Sequence, residues 1–168
     1  MRIRGLAAVF SILLAACGGD DGGDEGEPIV DGAIDGEYAG VGFSAAFGFA
    51  VIYRPADSSA EAPILGFGDA DSNVHCGSQD DRDPPPGHMA VVALDIDDFA
   101  VGDYSSQFVM IYTNVDGDFH GYGTGGATVS LTEVTDATVA GTVDWSTTDE
   151  DDQPYSLSGS FELVRCAD

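Results

Sequence analysis

Beyond about residue 31, apolar side chains recur at every second position, and nowhere does a helical period of about 3.6 residues persist for three turns. In an extended chain, alternate side chains point to opposite faces, so such segments fold by burying one face of a sheet. The chain is therefore expected to be all-β, an antiparallel β-sandwich or flattened barrel of about eight strands. The pattern is clearest in the last third. There Ala127–Val134, Thr138–Thr147 and Tyr155–Cys166 read as a meander of hairpins, joined by Thr135–Ala137 and Thr148–Pro154. Val129 and Leu131, then Val139, Val143 and Trp145, then Tyr155, Leu157, Phe161 and Leu163 alternate with polar residues and form the expected core face. Trp145 shares the parity of Val139 and Val143, which makes it a core residue rather than a sugar-stacking platform.

Upstream, Phe43, Ala45, Phe47, Phe49, Val51 and Tyr53 form one apolar face of a single strand, and Ser44, Ala46, Gly48 and Ala50 form a thin opposite face. Ile64–Phe67 is a short second strand. Met89–Leu94 is apolar on both faces, as in a strand covered on both sides. Tyr104–Tyr112 returns with Tyr104, Phe108, Met110 and Tyr112 on one face. Two longer stretches read as loops. Asp69–Gly87 contains Pro84-Pro85-Pro86, which donates no backbone hydrogen bond and cannot continue a central strand. Asn114–Gly126 is rich in glycine and aspartate.

The N-terminus has a different logic. Met1-Arg2-Ile3-Arg4 is a short basic segment, and Leu6–Ala16 is an apolar run too short for a membrane span of roughly 20 residues. Leu14-Ala15-Ala16-Cys17 follows, and this order of charge, apolar run, small residues and cysteine resembles the lipobox of bacterial lipoproteins. The resemblance implies removal of residues 1–16 and a diacylated Cys17 as the first mature residue. Residues 17–30, beginning Gly18-Gly19-Asp20-Asp21, lack the apolar content to repay ordering and read as an acidic tether to a domain spanning 31–168. Glycine–aspartate tethers of this kind are similar to those of Gram-negative surface lipoproteins. Gly18, rather than aspartate, after the cysteine implies an outer-membrane lipoprotein, attached to the membrane through its lipid. The hairpin block from Thr128 to Phe161 resembles the closing repeats of small uncharacterised envelope lipoproteins and lends a fold, not an activity.

Charge narrows the partners. The chain holds 30 Asp+Glu against 5 Lys+Arg, and Arg2 and Arg4 lie in the leader, which leaves Arg54, Arg82 and Arg165. Such a surface repels phosphate backbones, so nucleic acid is excluded as a partner, whereas divalent cations are attracted. Once Cys17 is assigned to lipid, Cys76 and Cys166 remain as an even pair in an exported chain and are expected to form a disulfide.

No G-x-S-x-G elbow or H-E-x-x-H helix is present, so the first expectation is a non-catalytic surface module for a protein, glycan or divalent cation. Asp69, Asp71 and Asn73 match the opening of a calcium loop, although Val74 stands where glycine is needed and Asp80 where a bidentate glutamate is usual. Calcium is thus the one cofactor the sequence suggests. Asp116, Asp118 and His120 form a second cluster, and His75 and His88 lie in the other loop. The competing reading is a metal-dependent hydrolase built across residues 69–87 and 114–126, which requires a histidine to converge with Asp71 or Asp118.

Overall fold

A computed structural model describes residues 27–53, 61–72, 74–76 and 86–167. The leader, Cys17, Asn73, Asp80, Arg54 and Arg82 lie outside the described residues. Nine strands are present: β1 (Asp31–Tyr38), β2 (Val41–Ser44), β3 (Phe47–Tyr53), β4 (Ala62–Gly68), β5 (Gly87–Ala93), β6 (Gly102–Val115), β7 (Asp118–Val134), β8 (Thr138–Thr148) and β9 (Pro154–Arg165). The fold is all-β, and no helix among the described residues is long and apolar enough to cross a membrane.

Strands β3 to β9 close into a seven-stranded barrel, with β1 and β2 as additional strands. Neighbours are antiparallel except at the closing seam, where Phe49 and Ala50 of β3 run parallel to Val164 and Arg165 of β9. This corrects the expectation of a purely antiparallel sheet, and the cause is local. β1 occupies the same edge of β9 from Tyr155 to Glu162, and β2 turns back along β1. The chain then continues in one direction into β3, changing partners between two residues. Ala45 N–H still donates to Ile34 of β1, whereas Ala46 N–H donates to Gly68 of β4. The expected single strand from Phe43 to Tyr53 is thus two strands.

That break also changes which face points inward. Phe43 belongs to the interior core, but Phe49 and Val51 pack outside the barrel, and Ala50 and Ile52 face the interior. A side chain as small as that of Ala50 suffices there because Phe67, Trp145, Leu157, Phe161 and Leu163 fill the space from other strands. Outside, Phe49, Val51, Ile64 and Met89 form a second cluster covered by Val74 and Cys166. Gly66 makes room for it, since a Cβ at that position would collide with the Phe49 ring. Cys76 and Cys166 are joined as a disulfide with Cα atoms 5.4 Å apart, which staples the connection after β4 to the end of β9. Closing that loop stabilises by roughly 4–5 kcal/mol in the chain-entropy account.

The meander β7–β8–β9 follows its sequence pattern. Val129, Leu131, Val139, Val143, Trp145, Tyr155, Leu157, Phe161 and Leu163 are all buried. Strand β6 departs from its pattern. Register shifts on either side of Gln107, with Ser106 at φ +61°, send Gln107, Val109 and Ile111 inward and leave Phe108 and Met110 exposed. The expected 114–126 loop is instead a hairpin. Asp116 and Gly117 both take positive φ, the geometry of a tight two-residue turn, and β7 begins at Asp118. The exposed rings of Phe108 and Phe119 are accounted for by this ribbon, since Phe119 meets Tyr112 with ring centroids 5.5 Å apart and the Phe108 ring lies over Gly123. Glu27–Val30, expected to be tether, belong to the domain. Glu27 bonds to Val74 and Gly48, Ile29 to Ala46, and Val30 to Glu162, and Ile29 packs on the core.

Candidate functional site

The connections fall at two ends of the barrel. One carries residues 94–101, joining β5 to β6, the Thr135–Ala137 turn and the end of β9. Phe99 is buried there beneath the Arg165 guanidinium, which lies 5.5 Å from the ring centroid and 3.0 Å from Asp98 Oδ1. The buried Gln107 accepts from Asp95 N–H at 2.6 Å and donates to Ser105 C=O at 2.6 Å. At this end Asp98 is thus paired with Arg165, and Gln107 ties the Asp95 N–H to the Ser105 C=O.

At the other end, three tyrosines from three strands meet. Tyr155 opens β9, Tyr38 closes β1 opposite it, and Tyr122 of β7 reaches the same place on the inward-facing side. The Tyr122 and Tyr155 rings stack at 4.2 Å with planes 17° apart, while Tyr38 meets Tyr155 edge-on at 5.3 Å. The β8–β9 turn stands beside them. Asp149 is its centre: Oδ1 accepts from the N–H groups of Asp151 and Gln153, both at 2.9 Å, and Oδ2 accepts from the Tyr155 hydroxyl at 3.0 Å. Those bonds favour the carboxylate, so Asp149 is held below the ordinary Asp range, led by the Gln153 N–H. Burial, with the adjacent Asp149 charge, pushes the Tyr155 phenol up to about 12 and raises Tyr38. Tyr122, Thr148, Asp149, Glu150 and Asp151 line an open cleft of about 500 Å³.

The same end holds the Asp69 turn. Asp69 Oδ1 accepts from the N–H groups of Asp71 and Ser72, and Oδ2 accepts from His88 N–H and lies 2.9 Å from His88 Nδ1. The His88 ring stacks on Phe43 at 5.3 Å. Asp69 therefore organises a turn, with Ser72 and Val74 buried behind it. Asp71 is exposed, with its backbone N–H bound to Asp69. Asp118 and His120 are exposed on β7, opposite Val115 and Thr113. His88 meets Asp69 rather than Asp71 or Asp118. Among the described residues, no three His, Cys, Asp or Glu side chains come together to hold a metal ion.

By sequence pattern Tyr155 is a core residue, and Tyr38, Tyr122 and Asp149 carry no recognisable role. The available signal was their parity, since Tyr155 near the start of β9 and Tyr122 within β7 both lie on the inward-facing side of their strands. Comparison with protein families, curated proteins and solved structures gives no match.

Proposed function

We propose that this chain is a lipid-anchored protein of the bacterial cell envelope whose barrel is a non-catalytic binding module, with the ligand taken at the tyrosine-lined end. One observation carries the binding half of this reading: stacked aromatic rings stand at the mouth of a rigid barrel beside carboxylates with no described basic residue as partner. Aromatic faces beside polar groups on a rigid scaffold are the usual makings of a recognition site. The lipid half rests on the residues leading to Cys17. Hydrolysis is less well supported, because the His88–Asp69 pair is spent on a turn and a stacked ring.

The anchor is tested by growing a Gram-negative host that expresses the chain with labelled fatty acid. Wild type should carry label and fractionate with the outer membrane, and Cys17→Ser should be unlabelled. A soluble, unlabelled wild type would remove the anchor. Calcium and zinc are tested by thermal unfolding, because an ion at about 100 times its Kd stabilises by about 2.7 kcal/mol. A melting temperature unmoved by either ion would remove the divalent-cation version of the module.

A further inference from the structure

We infer that the outward face of β5, β6 and the start of β7 lies against the bilayer that holds the Cys17 lipid, an inference that rests on the lipid-anchor reading above. The chain carries 30 Asp+Glu, yet β3, β4 and β5 contain no Asp, Glu, Lys or Arg, and β6 contains none after Asp103. Burial inside the barrel explains one face of those strands and leaves the other unexplained. On the outward side Phe108 and Met110 stand opposite Ala93 and Val91, and Phe119 meets the Tyr112 ring beside them. Val91, Ala93 and Tyr112 are only partly buried, and Phe108, Met110 and Phe119 are 44%, 42% and 50% exposed. Gly121 and Gly123, opposite Tyr112 and Met110, add no side chain that would hold a flat surface away from the rings. Strands β8 and β9 are the reverse, since their exposed positions Thr142, Asp144, Ser158 and Ser160 are polar. The exposed apolar side chains are therefore gathered on one side of the barrel rather than scattered over it.

What lies against this side follows from where the N-terminal segment joins the domain. Glu27 N–H donates to Val74 C=O at 2.9 Å, and Glu27 C=O accepts from Gly48 N–H at 2.8 Å. Val74 belongs to the outer cluster and lies over Gly68, which stands opposite Met89, and Met89 stands opposite Tyr112. The segment thus enters at one end of a row, Val74, Met89, Tyr112 and Phe119, whose other end is an exposed ring roughly 15 Å away across three strand spacings. The ten residues from Cys17 to Glu27 reach at most about 33–36 Å. An anchor on that tether holds this side of the barrel, rather than the polar side, next to the membrane. Hydrocarbon offers neither hydrogen bonds nor counter-charges, and a sheet face whose backbone groups are paired between strands requires neither. A second copy of the chain is the competing occupant, and the net charge of −25 on each copy opposes it.

The test uses the full chain as a Gram-negative host processes it, reconstituted into phosphatidylcholine vesicles. The acyl chains carry bromine at shallow positions, within the roughly 5–10 Å of the headgroup boundary that interfacial side chains reach. Trp145, the single tryptophan, is buried in the barrel and supplies a constant background. Phe108→Trp and, independently, Phe119→Trp should emit at shorter wavelength in vesicles than in detergent-free buffer and should lose intensity to the bromines. Thr142→Trp, at an exposed position on the polar side, should do neither. A wild type that does not float with the vesicles would overturn the anchor and the docking together. Flotation with Phe108→Trp and Phe119→Trp quenched no more than Thr142→Trp would overturn the docking and leave the anchor standing. A shift to shorter wavelength without quenching, fading as the protein is diluted in the vesicles, would put a second copy on this face and overturn the bilayer as its occupant.

Discussion

The two ends of the barrel are built from similar residues, aromatics and aspartates on short connections, yet they are closed in different ways. At the Phe99 end the aromatic ring is buried, Asp98 meets a guanidinium, and Gln107 ties two connections together. At the tyrosine end the rings stack on one another, Asp149 is satisfied by N–H and O–H groups alone, and Glu150 and Asp151 remain facing solvent. The difference lies in where the positive charge is. Among the described residues the one arginine, Arg165, sits at the Phe99 end, whereas at the tyrosine end Asp149 is met by N–H and O–H donors.

That contrast can be broken by mutation. The largest effect is expected from Phe99→Ala, which empties a buried position at the Arg165 end and should cost about 3–5 kcal/mol in denaturant unfolding. Tyr122→Leu, half-buried at the other end, should cost less than about 1.5 kcal/mol. Equal losses would show that the tyrosine end is as structural as the other. Next comes the disulfide: replacing both Cys76 and Cys166 with serine should cost about 2–5 kcal/mol, because the loop covering the outer cluster loses its staple. An unchanged midpoint for the double variant would deny the bridge that role.

A smaller effect is expected from pH, and its sign follows from the phenols. Tyr155 and Tyr112 both have pKa values raised by burial to about 12, with Asp149 adding to the shift at Tyr155. The folded state therefore holds these protons more tightly than the unfolded chain does. The stabilisation is complete below the ordinary phenol value near 10 and is lost as pH rises from there through about 12. Ultraviolet titration of phenolate formation should show late-ionising tyrosines, and Asp149→Asn should bring one of them earlier. On the acid side, Asp149 is depressed, so its contribution is present above the ordinary Asp value and fades as pH falls through its lowered one. Smallest of all, Arg165→Gln should change stability by about 0–1 kcal/mol, because the Asp98 partner is two-thirds exposed. A double-mutant cycle with Asp98→Asn gives the pair's worth directly, and a large coupling would make the ion pair, rather than Phe99, the main contributor at that end.

The sequence was most legible where neighbours in the chain are neighbours in the sheet. In β7, β8 and β9, consecutive strands pair through short turns, so alternation alone places Val129, Val143 and Leu157 correctly. It misled where parity changes within a run. The break at Ala45–Ala46 puts Phe43 inside and Phe49 outside, and the bulge around Ser106 turns Phe108 and Met110 to solvent. Glycines in β7 disguised a strand as a loop, although Asp116-Gly117 is the dipeptide that a tight hairpin favours.

By itself, then, the sequence determined an all-β domain, its C-terminal meander and an overwhelmingly negative charge, because each follows from local periodicity or from counting, whereas the Cys76–Cys166 pairing was expected only through the resemblance that would assign Cys17 to lipid. Only the tertiary structure decided the rest. Closure through the parallel seam of Phe49 and Ala50 with Val164 and Arg165 depends on residues more than a hundred positions apart. So does the meeting of Tyr38 with Tyr155, and Tyr122 joins them from a third strand. No periodicity encodes such contacts, since they are fixed by which edges remain free once the hairpins have formed and by which face can still fill the barrel.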